Sequence, residues 1–159
     1  MHIFRMELDK TDRRILTLLQ RDARLTSSEL GERLALSASQ AGRRRQRLED
    51  ANVITRVAAQ LDPEYLGLAV QAFVQVQLAE HGAEVARSFA AMIARHDEVV
   101  SAWTMTGEAD YLLRIWCADL KALHRLIHEE LLAHPAVARV QSQIVMDQLK
   151  ADAPLPVTG

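Results

Sequence analysis

The chain has 159 residues, 49% of them hydrophobic and 25% charged, with a formal net charge of -2. That is room for one ordinary domain or two small ones, with the composition of a soluble globular protein. No apolar run approaches the roughly 18 residues a membrane span requires, Met1-His-Ile-Phe-Arg-Met6 lacks the apolar core of a secretory leader, and the single cysteine, Cys117, excludes an internal disulfide, as suits a cytoplasmic protein.

The net charge hides a division. Residues 1–60 carry 12 Lys and Arg against 8 Asp and Glu (+4), and residues 61–159 carry 7 against 13 (-6). Only the first part has the sign that suits a polyanion.

That first part reads as three helices. Asp9 caps a helix through Ile15, Leu16, Leu18 and Leu19. Thr26-Ser27-Ser28-Glu29 has the capping-box form and starts a short second helix with Leu30 and Leu34 on one face. Ser37-Ala38-Ser39-Gln40 repeats the form and starts a third helix running to about Ala51. Only Leu36 and Ser37 separate the last two helices, the short connection of a helix-turn-helix. Asn52 suits a left-handed cap. Val53-Ile54-Thr55-Arg56-Val57 reads as a short strand, a wing or hinge, and Asp62-Pro63 as the turn out of the domain.

The period then changes. Residues 70–78 alternate, with Val70, Ala72, Val74, Val76 and Leu78 on one side and Gln71, Gln75 and Gln77 on the other. Residues 83–96 are helical in pattern, 98–106 and 110–117 are apolar strands joined across Gly107, 119–133 is a second helix capped by Asp119, and 137–147 alternate again. Strand-helix-strand-strand-helix-strand is the ferredoxin-like pattern, an α+β fold with both helices on one face of its sheet. Its other face, if apolar, calls for sheet-to-sheet dimerisation. The expected organisation is a helix-turn-helix domain over 1–52, a wing and hinge over 53–68, the ferredoxin-like domain over 69–150, and an extended or flexible tail over 151–159 that holds Pro154 and Pro156.

On a wheel of about 100° per residue, Ala41, Arg45, Leu48 and Asn52 cluster within roughly 60° and should face the first two helices. Gln40, Arg43, Arg44 and Arg47 fall within roughly 100° on another side and should face out. Arg binds guanine O6 and N7 bidentately and Gln binds adenine N6 and N7, so this stripe suits a major groove. The helix N-terminus at Ser37 and Ser39 suits a phosphate. A solvated charged face is the bland alternative, and the helix-turn-helix spacing favours DNA.

In this order the chain resembles the leucine-responsive regulator/AsnC family. The signature is Leu8-Asp9-x-x-Asp12-x-x-Ile15-Leu16-x-x-Leu19-Gln20-x-Asp22-Ala23-Arg24, then Leu36-Ser37, Arg44, Leu48-Glu49 and Val53-Ile54. The second half is similar at Thr106-Gly107-Glu108-Ala109-Asp110-Tyr111-Leu112-Leu113 and His134-Pro135-Ala136-Val137, so the likeness spans residues 8–149. It implies a winged helix-turn-helix joined to a ligand-sensing domain, dimers that assemble into octamers, a pseudo-palindromic double-stranded DNA target, and control of amino-acid metabolism or transport genes. It also implies an amino-acid or related effector bound at contacts between dimers. The residues implied are Thr106, Gly107, Glu108, Asp110 and Tyr111 in the turn, and Ser142, Gln143 and Ile144 in the last strand. The chemistry is compatible: Gly107 lets a backbone approach, free N–H groups hold a carboxylate, and Glu108 or Asp110 holds an ammonium. Two positions depart from the family, which usually has Gly at Asn52 and an aliphatic residue at Arg45. Arg45 should lay its stem over the core and set its head at the rim near a carboxylate.

No catalytic constellation, metal set, phosphate loop or cofactor motif is evident, so no enzyme, metal or cofactor is expected. His124 and His128 have metal-ligand spacing without an HExxH, and read as an exposed face. Cys117 sits in an apolar strand and reads as core, and Trp103 and Trp116 read as packing. A metabolite-binding module with vestigial DNA contacts is the alternative function.

Overall fold

The computed structural model describes residues 6–157, so the N-terminal segment Met1–Met6 read above falls mostly outside it, as do the last two residues of the tail. The chain divides into two compact units, one of residues 1–60 with 150–159 and one of residues 61–149.

In the first unit, α1 (Lys10–Arg21), α2 (Ser27–Leu34) and α3 (Ala38–Asp50) all begin with reciprocal capping boxes, Asp9 with Asp12, Thr26 with Glu29 and Ser37 with Gln40. Each box satisfies N–H groups that a helix start otherwise leaves open. Ile15, Leu19, Leu25, Leu30, Leu34, Ala41 and Leu48 form the core. The turn between α2 and α3 is tight. Ala35 is left-handed (φ 56°), and the N–H of Leu36 donates to Gly31 O at 2.9 Å. A Cβ on Gly31 would stand 2.6 Å from Leu36 O, so only glycine lets this turn close on α2.

The expected wing strand is absent. Asn52 is left-handed (φ 54°), Asn52 N–H donates to Glu49 O, and Val53 N–H donates to Leu48 O. This pair of bonds is a Schellman cap. It uses the N–H of Val53, and the side chains of Val53 and Ile54 pack on the helical core instead of pairing in a sheet. The tail also differs from a free end: Leu155 exchanges two hydrogen bonds with the side chain of Gln20 on α1.

In the second unit, a 3₁₀ turn (Glu64–Leu66) precedes β1 (Val70–Leu78), α4 (Ala83–Ile93), β2 (Val99–Thr104), β3 (Tyr111–Cys117), α5 (Leu120–Arg125) and β4 (Val137–Ile144). The four strands pair antiparallel in the order β2-β3-β1-β4, the ferredoxin-like arrangement. Ala72, Val74, Val76, Leu113, Ile115 and Cys117 meet Phe89 and Met92 of α4 and Leu123 of α5 in one core. After α5 the helix widens into a π turn (Leu126–Leu131), where Leu132 N–H donates to Ile127 O. Residues five apart diverge by about 140° on an α-helix. The wider turn lets both Leu126 and Leu131 enter the core. The last strand alternates but ends at Ile144, which is exposed at the edge of the sheet, and Met146 lies beyond it in the open.

The face away from the helices carries Phe73, Leu112, Trp103 and Trp116 around Arg114 and among Gln71, Gln75, Gln141 and Gln143, so it is a mixed surface.

Gly31→Ala should lower the unfolding free energy by about 1–3 kcal/mol, the usual cost of overpacking, whereas Gly82→Ala, with open space around its Cβ position, should stay within about 0.5 kcal/mol of the parent. Urea titration checks both.

Candidate nucleic-acid interface and effector turn

The orientation of α3 depends on a carboxylate in α1. Asp12 is fully buried and is the one buried charged residue among the described residues. Its Oδ1 accepts from Arg44 Nη1 at 2.8 Å, and its Oδ2 accepts from Arg47 Nη2 at 2.6 Å and from the Asp9 N–H at 3.2 Å. Arg44 Nη1 also reaches Asp9 Oδ2 at 2.6 Å. A carboxylate out of water is costly unless its oxygens are paired, and here two guanidinium groups and a backbone N–H pair them. The backbone N–H of Asp12 and then the Arg44 guanidinium hold the Asp9 carboxyl below its ordinary value of 3.8. The two aspartates hold Arg44 still more firmly protonated.

This arrangement corrects the sequence-derived stripe. Arg44 does not face out as a free reader, because its guanidinium is committed to Asp9 and Asp12 and its side chain is only 31% exposed. Arg47 is half exposed while tied to Asp12. Gln40 spends its Oε1 on the capping box. Arg43 is exposed and makes no hydrogen bond or ion pair among the described residues. Ser39, Gln46 and Arg47 flank it on the exposed side of α3. Gln46, bonded to Asp50 at 2.8 Å, is absent from the sequence-derived set; the wheel centred the outward face one row away from it.

Arg45 lies as expected. Its Nε pairs with Glu49 at 2.8 Å, its Nη1 donates to Leu25 O at 3.0 Å, and its side chain is 26% exposed. The head therefore sits at the rim of the core with two partners.

In the second unit, the turn between β2 and β3 closes through Met105 N–H to Asp110 O at 2.8 Å. Gly107 has φ 110° with nothing near its Cβ position, so glycine is needed there for conformation and not for space. Thr106, Gly107 and Glu108 are exposed. Asp110 turns inward: its Oδ2 accepts from Leu78 N–H at 2.7 Å, and its Oδ1 stands 3.5 Å from His81 Nδ1. It therefore finishes the end of β1, and of the two candidates for an ammonium Glu108 is the accessible one. Tyr111 packs its ring 4.6 Å from that of Phe89. Beside Glu108, Gln75, Gln77, Arg139 and Gln141 line a shallow polar depression. The sequence reading did not single out these four.

Ser142, Gln143 and Ile144 do not join the turn within one chain. Tyr111 is level with Val76, and Ser142 to Ile144 are level with Val74 to Ala72, on the far side of β1 and toward its other end. Elsewhere, His124 and His128 stack at 4.2 Å in the open. Cys117 is 1% exposed, and burial pushes its thiol pKa up, the opposite of a nucleophile.

Two family models cover the chain: a winged helix-turn-helix DNA-binding model over residues 8–55 and the Lrp/AsnC ligand-binding domain over residues 71–155. The chain is 35% identical to the DNA-binding transcriptional activator DecR of Escherichia coli, over 94% of this chain and 99% of that protein. It is 33% identical to the leucine-responsive regulatory protein of the same species, over 91% and 88%. Among solved structures it superposes on the transcriptional regulator NMB0573 in complex with L-Met, from Neisseria meningitidis, with a TM-score of 0.90 and 41% identity, covering 94% of this chain and 97% of that one.

Replacing the buried carboxylate isolates the ion network. Asp12→Asn should cost about 1–3 kcal/mol in urea unfolding, as for a removed charge-assisted bond. The Asp9 part of the network should be present above pH 3.8 and lost as the pH falls through its lower folded pKa.

Proposed function

The chain belongs to the Lrp/AsnC family of DNA-binding transcriptional regulators, with an amino-acid-responsive ligand domain and no enzymatic role, and from that premise we propose how each unit works. Arg43 reads a base edge in the major groove, helped by Ser39, Gln46 and Arg47, while Ser37 and Gln40 at the start of α3 meet a phosphate. Arg44 acts by holding α3 at its angle through Asp9 and Asp12. The observation that carries this reading is the exposed, unengaged guanidinium of Arg43 on a helix that Arg44 and Arg47 tie to Asp12. It also favours operator binding over a sensor with vestigial DNA contacts.

The protein works as a homodimer on a pseudo-palindromic operator, with half-sites about one helical turn or a multiple apart, in the cytoplasm with the genes it controls, those of amino-acid metabolism or transport. Phe73, Leu112 and Trp116 on the mixed outer face support sheet-to-sheet pairing. Tyr65, Met146 and Leu149, each more than nine-tenths exposed in one chain, support further assembly towards an octamer. The effector is an amino acid or a related zwitterion. The N–H groups of the Thr106–Gly107 turn take its carboxylate and Glu108 its ammonium. Ser142, Gln143 and Ile144 contribute from another copy, since they are remote from the turn in their own.

Arg43→Ala should weaken specific operator binding by about 1–3 kcal/mol with an unchanged melting temperature. Gel-shift titration in graded salt measures this, and normal operator affinity would refute the assignment. In a thermal-shift screen of the twenty amino acids, one or a few should raise the melting temperature with concentration, and Glu108→Gln should abolish that shift. A flat screen would remove the effector role.

A further inference from the structure

Behind the recognition helix the first unit has a groove of about 600 Å³ whose last wall is the chain's own tail. Leu16 and Leu19 of α1, Val53 and Ile54 after the Schellman cap, and Arg45 with Glu49 of α3 form its walls. Leu155, Pro156 and Val157 line the remaining side. The attachment is through the backbone. Leu155 N–H donates to Gln20 Oε1 at 2.7 Å, and Gln20 Nε2 donates to Leu155 O at 3.1 Å. One side-chain amide thus presents to one residue the donor and acceptor that a neighbouring β-strand would present. The Leu155 side chain is 77% exposed, so its identity is not what is held, whereas Val157 is half-buried. Pro154 and Pro156 on either side stiffen the segment in an extended form, which lowers the entropic cost of ordering it.

We propose that the rim of this groove at α1 is a docking site for an extended, proline-flanked backbone, and that its occupant is residues 151–157 of the same chain. Gln20 is the clamp. The docked tail bridges the end of α1 and the segment that follows α3, and so closes the groove over the rim where Arg45 meets Glu49. The chain leaves this unit after residue 60 and returns to it at 150, so the segment that follows the sensing unit's last strand is fastened to the DNA-reading unit. Arg45 gains a reason here: its stem, in place of an aliphatic side chain, forms one wall of the groove.

The test is hydrogen exchange measured by mass spectrometry on the full chain and three variants. Leu155→Pro removes the N–H that Gln20 accepts, Gln20→Ala removes the clamp, and Leu155→Ala removes only an exposed side chain. Leu155→Pro and Gln20→Ala should each speed exchange about tenfold in residues 16–23 and 53–57, the factor that one or two net hydrogen bonds support. Leu155→Ala should match the parent. In a chain ended after Lys150, the synthetic peptide 151–159 should restore protection, and should fail to do so when Gln20→Ala is present. Equal exchange in all variants, or equal effects of Leu155→Ala and Leu155→Pro, would overturn the proposal. Protection that rises with protein concentration would assign the groove to a second copy's tail and overturn the choice of occupant.

Discussion

The buried carboxylate of Asp12 is the constraint on which the DNA-reading unit depends. Helix-turn-helix units of this size have a small apolar core, and the core here ends at Ala41 and Leu48 on α3. Those two apolar contacts are narrow, and directed bonds from Arg44, Arg45 and Arg47 add to them in setting the rotation of α3 about its axis. Arg44 and Arg47, three apart and so on neighbouring lines of the helix, both reach one carboxylate. Two directed, charge-assisted bonds to one fixed point set that rotation, and Arg43 is thereby turned outward. The cost of desolvating Asp12 is offset by this pairing. The interaction contributes specificity of orientation more than net stability.

The same pairing changes the electrostatic account. The first 60 residues carry an excess of four positive charges, yet Arg44 and Arg47 stand against Asp9 and Asp12. Attraction to phosphate rests on the charges left unpaired, of which Arg43 is the most advanced on α3. The salt dependence of binding should therefore follow the few free cations and not the count of arginines. On the sensing side the logic is reversed. Asp110 is spent on closing the end of β1, which leaves Glu108 and the backbone of the Gly107 turn exposed.

Local signals were legible in the sequence. Thr26 with Glu29 and Ser37 with Gln40 form the boxes their spacing implies, and the alternation of 70–78 gives β1 with its inward face correct. Arg45 was legible too, because its carboxylate partner Glu49 is one turn away. What stayed hidden was non-local or a matter of competition. Asp12 stands in the sequence only as part of Leu8-Asp9-x-x-Asp12, and nothing in that motif says that arginines 32 and 35 positions later converge on it. Val53-Ile54 has strand propensity, but a Schellman cap and the nearby core claim its backbone and side chains first. The tail reads as loose from Pro154 and Pro156, and only the fold shows that Gln20 is within reach. Ser142 to Ile144 carry no sequence mark of being remote from Gly107, since that follows from strand register.

The most direct test of the central claim is a double-mutant cycle between Asp12→Asn and Arg43→Ala, read as operator affinity. The two side chains do not touch, so direct contact between them cannot supply the coupling, and the setting of α3 is the route the account assigns to it. A coupling of about 1 kcal/mol or more is expected, with Arg43→Ala losing much of its effect once Asp12 is neutralised. Effects that add within about 0.5 kcal/mol would contradict the account, and would mean that the apolar core alone orients the recognition helix.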